Sequence, residues 1–161
     1  MPECAVNYSI TGVNLRASGV NYDLRKTDYL YEDIDFMPVV MEDGDSWARY
    51  KARILEMKES LNILKQLLDG LETSGKLEQN LINPLNIKLP EGEYYSEIEA
   101  PRGLASCKIV SDGGERPYRL KWRTGSYYSV NLLREILKGN YLNDAIAIAG
   151  SLDIILPEVD K

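Results

Sequence analysis

The sequence has no histidine, one phenylalanine and two cysteines, Cys4 and Cys107, among 161 residues. With so few thiols and no imidazole, a disulfide framework, a four-cysteine iron–sulfur cradle and a His-containing zinc site are excluded within this chain. Apolar runs are also short. None approaches the length a membrane span requires, and the first residues lack the charged-then-apolar layout of a secretory signal. Basic residues are outnumbered, giving a net charge of −6. That balance argues against a nucleic-acid partner, since a phosphate backbone asks for a concentrated basic face. What remains is a globular composition, 44% hydrophobic and 27% charged, long enough to build a core.

The richest pattern is the stretch from Asp45 to Glu72. Trp47, Tyr50, Ile54, Met57, Leu61, Leu64, Leu68 and Leu71 recur at alternating spacings of three and four, which predicts an amphipathic helix of about seven turns. Asp43, Asp45 or Ser46 can cap its start by accepting from a first-turn amide. Gly70, Thr73, Ser74 and Gly75 end it. Arg49, Arg53, Glu56, Glu59, Lys65 and Asp69 fall off the stripe and read as solvating charges. A helix of about 42 Å exceeds what one compact domain of this size covers, so its apolar stripe is expected to meet another chain or further sequence.

Before the helix, Ala5, Val6, Tyr8 and Ile10 read as the last turns of a helix, either inside a larger polypeptide or as a short leading segment, and Gly12 ends them. The run from Leu15 to Lys26 mixes charge with small residues. Arg16, Asp23 and Arg25 form an ionic network there if drawn inward, because a bidentate arginine–carboxylate pair fixes geometry as well as charge. Otherwise the run is a solvated loop. Asp28 to Glu42, broken by Pro38, reads as a connector.

After a linker from Lys76 to Pro90, the periodicity changes to two. Tyr94, Ser96 and Ile98 alternate with Tyr95, Glu97 and Glu99 as a strand with one wetter face. Ala105–Val110 and Tyr118–Arg123 supply two more, joined through Asp112-Gly113-Gly114, a turn sequence in which glycine accepts positive φ. Arg119, Lys121 and Arg123 alternate with Tyr118, Leu120 and Trp122, as on a half-buried strand. Ser129–Lys138 reads as a short helix stopped by Gly139. Asn143 is a cap candidate for the Ala145–Leu152 segment, whose continuous, small and apolar run predicts burial. Asp153 then places a carboxylate beside Ile154 and Ile155, where it either caps its own backbone or lines a pocket. The charged end, from Glu158 onward, would ordinarily fray. The sum is an α+β fold of one long amphipathic helix, short helices and a small antiparallel sheet, with 92–124 as a β subdomain within a single domain spanning 1–161.

Several stretches share an order with one family. Leu15-Arg16-Ala17-Ser18-Gly19-Val20, Tyr22-Asp23-Leu24-Arg25-Lys26, Gly44-Asp45-Ser46-Trp47-Ala48-Arg49-Tyr50, Glu99-Ala100-Pro101-Arg102-Gly103, Val110-Ser111-Asp112-Gly113-Gly114 and Gly150 through Lys161 resemble the C-terminal part of the 49-kDa-type subunit of respiratory NADH:quinone oxidoreductase (complex I). That family is related to the large subunit of nickel–iron hydrogenases. In those enzymes a cysteine pair would fall where this chain has Ile155 and Glu158, and without thiolates such a metal site is disfavoured.

The resemblance implies a hydrogenase-large-subunit-like fragment on the cytoplasmic side of the cell membrane, peripheral there and soluble if expressed alone. Its implied partners are the subunit carrying the terminal iron–sulfur cluster, the quinone-binding membrane subunit and quinone. It places Asp153 and Ile155 at the quinone cavity, and Arg16, Asp23, Arg25 and the terminal Lys161 in a supporting network. Neither catalytic residues nor a metal site are assigned to this chain. Quinone, NADH, FMN and iron–sulfur clusters belong to the whole complex, and the chain alone is expected to be inactive. A divergent hydrogenase-like fragment and a non-catalytic scaffold or assembly protein are the alternatives.

Overall fold

A computed structural model describes residues 2–71 and 88–160. The elements are α1 (Pro2–Asn7), α2 (Gly12–Arg16), α3 (Ser46–Asp69), β1 (Gly92–Ala100), β2 (Gly103–Ser111), β3 (Arg119–Arg123), α4 (Gly125–Ile136), α5 (Asp144–Leu152) and α6 (Leu156–Val159), with short 3-10 turns at Leu24–Lys26 and Tyr29–Tyr31. This is an α+β architecture with one long helix, several short ones and a three-stranded antiparallel sheet in the order β1-β2-β3. Within the described residues no helix is long and apolar enough to cross a membrane. Most of the expected linker, residues 76–87, lies outside the described residues, as do Lys161 and Thr73–Gly75.

Of the three candidate caps for α3, Asp45 is the one used: its carboxylate accepts from the Ala48 amide at 2.7 Å. At the other end the Gly70 amide donates to the Gln66 carbonyl at 3.1 Å. The helix is 24 residues long, about 36 Å.

Charges expected to lie in solvent are turned inward instead. The apolar stripe faces outward, with Trp47, Leu61 and Leu68 each 64–67% exposed. The buried residues are Ala48, Arg49, Ala52, Glu56 and Ile63. Arg49 and Glu56 are therefore interior groups rather than solvating charges. The small residues explain this face. Ala48 and Ala52, one turn apart, let α3 lie against Val13 and Ala17 of the α2 region in one core cluster, an approach that larger side chains would prevent. A second cluster joins Ala5, Ile10, Leu15, Leu132 and Leu152.

The sheet repeats the pattern. Register places Tyr94, Ile109 and Leu120 in one row, with Ser96, Cys107 and Trp122 beside it. Tyr94, Ile98, Leu120 and Trp122 on that face are exposed. The opposite face buries Leu104 and Ser106. β3, expected to be half-buried, is exposed through Trp122, with only Arg123 partly covered.

Three further differences concern the short helices. Gly12 begins α2 instead of closing the first segment, and its φ of +68° belongs to the left-handed region that glycine tolerates. Asn143 precedes α5 but its side chain makes no capping bond. In the Ala145–Leu152 run only Leu152 is fully buried, and Ile146 is 82% exposed. The C-terminal segment, in contrast, is docked: the Thr124 hydroxyl donates to the Glu158 carbonyl at 2.7 Å.

Candidate functional site

The site is built where the β1–β2 turn is pushed between two helix starts. A Cβ on Gly12 would stand 2.4 Å from the Gly103 Cα, and one on Gly125 would stand 2.0 Å from the Arg102 carbonyl oxygen. Only hydrogen fits at these contacts. The Thr11 hydroxyl accepts from the Leu104 amide at 2.9 Å and fixes the turn further. Arg102, at the tip, is thereby aimed at the end of α5.

Arg102 Nε donates to the Asp153 carbonyl at 3.0 Å and lies 3.3 Å from its Oδ2. Asp153 sits at φ 55°, ψ 50°, the left-handed C-cap of α5, so it caps the helix through its backbone while its side chain, 40% exposed, stays at the surface of a cleft. Glu158 is held by the Ser126 hydroxyl, which donates to Oε2 at 2.6 Å, and lies 3.7 Å from Arg102 at Oε1. The Ile155 amide donates to the same Ser126 oxygen at 3.3 Å.

Behind this rim lies a five-membered charge network. Arg16, 1% exposed, donates through Nε to Glu56 at 3.0 Å and through Nη1 to Glu99 at 2.8 Å, and approaches Asp23 at 3.3 Å. Arg25 grips Asp23 with Nε at 2.9 Å and Nη2 at 2.6 Å, and Nη2 also reaches Glu56 at 2.9 Å. The structure thus brings Arg16, Asp23 and Arg25 together. Burial opposes the charge of Asp23, but the hydrogen bonds from Arg25 and the positive charges of Arg16 and Arg25 outweigh it and lower its pKa. Burial likewise opposes the charge of Arg25, and its bonds to Asp23 and Glu56 prevail and raise its pKa.

A second pair of arginines ties α3 to the end of α5. Arg49 donates to Ser151 Oγ, the Gly44 carbonyl and Ser46 Oγ at 2.9–3.0 Å. Arg53 donates to the Ser151 carbonyl at 2.6 Å and to Asn14 Oδ1 at 2.9 Å. Burial lowers the pKa of both, and for Arg49 the charge of Arg53 adds to it.

A cleft of about 410 Å³ opens between these groups, walled by Arg53, Met57, Glu56, Glu99 and Asp153. Ile155 is half-buried beside Ser126 and is not among the groups lining it. A hollow of about 460 Å³ under the Arg25–Ile34 loop is lined by loop side chains and contains none of the rim groups. Among the described residues no cluster of three or more His, Cys, Asp or Glu groups is placed to hold a metal. Cys4 and Cys107, both free, lie on α1 and β2.

Glu56, Glu99, Arg102 and Ser126 escaped the reading of the sequence. Glu56 has a signal in hindsight: with Arg49 and Arg53 it shares the helix face marked by Ala48 and Ala52. Glu99 lies in the Glu99–Gly103 stretch, but strand alternation alone put it on a wet face.

The acid response of the network follows from the sign of the Asp23 shift. Because the folded pKa is lower than the ordinary 3.8, the stabilisation is complete above that value and fades as pH falls through the folded pKa. Asp23→Asn is expected to be less stable at neutral pH and to show a shallower loss as pH falls below about 4, as read by urea unfolding at each pH. Equal slopes for both proteins would contradict this.

Comparison with known proteins identifies the family to which this α+β chain and its buried network belong. A profile described as "Respiratory-chain NADH dehydrogenase, 49 Kd subunit" matches residues 1–86 and 77–161. The chain belongs to that family. It is 46% identical over 160 residues to the D-type subunit of NADH-quinone oxidoreductase from Geobacillus thermodenitrificans, covering 98% of this chain and 43% of the relative. It is 42% identical over 162 residues to the same subunit from Desulfotalea psychrophila, again covering 43% of it. The chain therefore spans less than half the length of these relatives. A solved structure of the membrane-bound sulfane sulfur reductase, an archaeal respiratory membrane complex, superposes with a TM-score of 0.88 at 39% identity, over 99% of this chain and 44% of the other.

Proposed function

We propose that this chain is the C-terminal portion of a 49-kDa-type subunit that works inside a membrane-attached NADH:quinone oxidoreductase on the cytoplasmic side of the membrane. Its task is to support the quinone cavity beside the subunit carrying the terminal iron–sulfur cluster, with Asp153 and Ile155 on the cavity side and Lys161 nearby. The observation that carries this reading is the Arg102–Asp153 pair at the lip of the cleft, held by the backbone but open on one side. That pair offers the fixed polar contact that orients a quinone headgroup; the cleft behind it, charged through Arg53, Glu56 and Glu99, is not where the apolar ring would lie.

The other groups of the complex do not fit here. An iron–sulfur cluster needs four ligands, and this sequence has two cysteines in all. NADH and FMN are handled by other subunits. Glu158, whose carboxylate is engaged by Ser126 and Arg102, is committed to structure rather than to metal.

The test assembles the chain with the remaining portion of the 49-kDa-type polypeptide and the iron–sulfur subunit. A photoreactive quinone is expected to label the 150–158 peptide in the assembly, and Asp153→Asn is expected to raise KM for quinone with little change in the unfolding midpoint. Quinone reduction by the isolated chain, or labelling confined to other subunits, would overturn the reading.

The outward stripe of α3 is where the remaining portion packs. Leu64→Glu, on that exposed face, is expected to change the stability of the chain alone by less than about 0.5 kcal/mol. It should weaken association with the remaining portion by about thirtyfold or more, measured by calorimetry.

A further inference from the structure

Glu99 is bonded through only one oxygen. Its side chain is 5% exposed and Oε1 takes the hydrogen bond from Arg16, while Oε2 is buried with no hydrogen-bond partner among the described residues. Glu99 lines the cleft that also contains Arg53, Glu56 and Met57. An ionised carboxylate is acceptor-only, and leaving one of its oxygens dry and unbonded is costly. The missing partner must be a donor.

Charge narrows the donor. The bonded network holds two guanidiniums, Arg16 and Arg25, against three carboxylates, Asp23, Glu56 and Glu99. Arg53, on the same wall, donates instead to the Arg49 and Ser151 carbonyls and Asn14 Oδ1, so the bonded set has one carboxylate more than it has guanidiniums, and a positive donor completes it where a neutral one would leave the excess. Access narrows it further. Met57, 55% exposed, belongs both to the outward apolar stripe of α3 and to the wall of the cleft, so whatever covers the stripe passes over the opening.

We propose that the cleft receives a lysine or arginine side chain carried by the segment of the full-length polypeptide that packs on the α3 stripe, its cationic head donating to Glu99 Oε2. This rests on the reading that the remaining portion of the family's polypeptide covers α3, and it adds the polar contact that sets the register of that docking. An apolar stripe alone tolerates sliding by a turn; a single buried ion pair does not, in the way that one polar position fixes the register of paired helices. Aliphatic carbons of the stem would lie against Met57 while the head reaches the carboxylate.

The experiment measures association of this chain with the remaining portion of the polypeptide by calorimetry at several salt concentrations. Glu99→Gln is expected to weaken binding about tenfold and to flatten its salt dependence. Since Glu99→Gln also loosens Arg16, each lysine and arginine of the covering segment is changed to alanine in parallel, which leaves this chain intact. One of those substitutions should reproduce the tenfold loss and add nothing when combined with Glu99→Gln. Unchanged affinity and salt slope for Glu99→Gln, or additive losses for every pairing, would overturn the proposal while the packing of the stripe stands. Failure of the two portions to associate at all would overturn both.

Discussion

Replacing Arg16 with methionine is expected to destabilise the chain by about 3–5 kcal/mol, the cost of breaking a buried ionic set by removing one member. Arg16 is 1% exposed and touches Glu56, Glu99 and Asp23 at 2.8–3.3 Å. Methionine fills much of the same volume, so the loss measures charge rather than cavity. Arg25 would still hold Asp23 and Glu56, but Glu99 would lose its hydrogen bond to Oε1 and be buried without a bond at either oxygen. Urea unfolding of the single variant and of Arg16→Met combined with Glu99→Gln checks the argument: the second change should restore part of the loss, because it removes the stranded charge. A loss below about 1 kcal/mol would mean that water screens the network as it does a surface pair.

Gly125→Ala is expected to cost about 3 kcal/mol or more, at the upper end of overpacking. Elsewhere in a helix the same change stabilises, since alanine exceeds glycine in helix propensity by about 1 kcal/mol. Here the sign reverses, because the new Cβ would stand 2.0 Å from the Arg102 carbonyl oxygen, a backbone atom that cannot swing aside. Relief requires moving the β1–β2 turn and with it the guanidinium that holds Asp153 and Glu158. The thermal midpoint should therefore fall, and in the assembled complex the KM for quinone should change in the same variant. A midpoint equal to or above that of the parent would refute the close approach.

The elements themselves were legible. A three-and-four spacing is a local property, and so are a carboxylate cap and strand alternation, which is why α3, Asp45 and the three strands appear close to where periodicity put them. Which face turns inward is not local. Periodicity marked the row of Trp47 and Leu61 and left Arg49 and Glu56 to solvent, yet Ala48, Ala52, Arg49 and Glu56 occupy the interior. Two short side chains admit a neighbouring backbone, and the charged groups beside them find each other across the gap. That choice depends on complementary residues far away in the chain, 31 positions for Glu56 with Arg25 and 83 for Glu99 with Arg16. The residues alone left the Arg16, Asp23 and Arg25 grouping open against a solvated loop and family order favoured it, but the two glutamates that complete it were not singled out. Asp153 was ambiguous between cap and pocket wall because it is both, by backbone and side chain respectively.

The outward apolar row on α3 has a consequence before any complex exists. A newly made chain displays Trp47, Leu61, Leu64 and Leu68 to water as a continuous greasy strip, the kind of surface that holdase chaperones and proteases use to tell orphans from finished subunits. Until those side chains are covered, aggregation and proteolysis compete with packing at this strip.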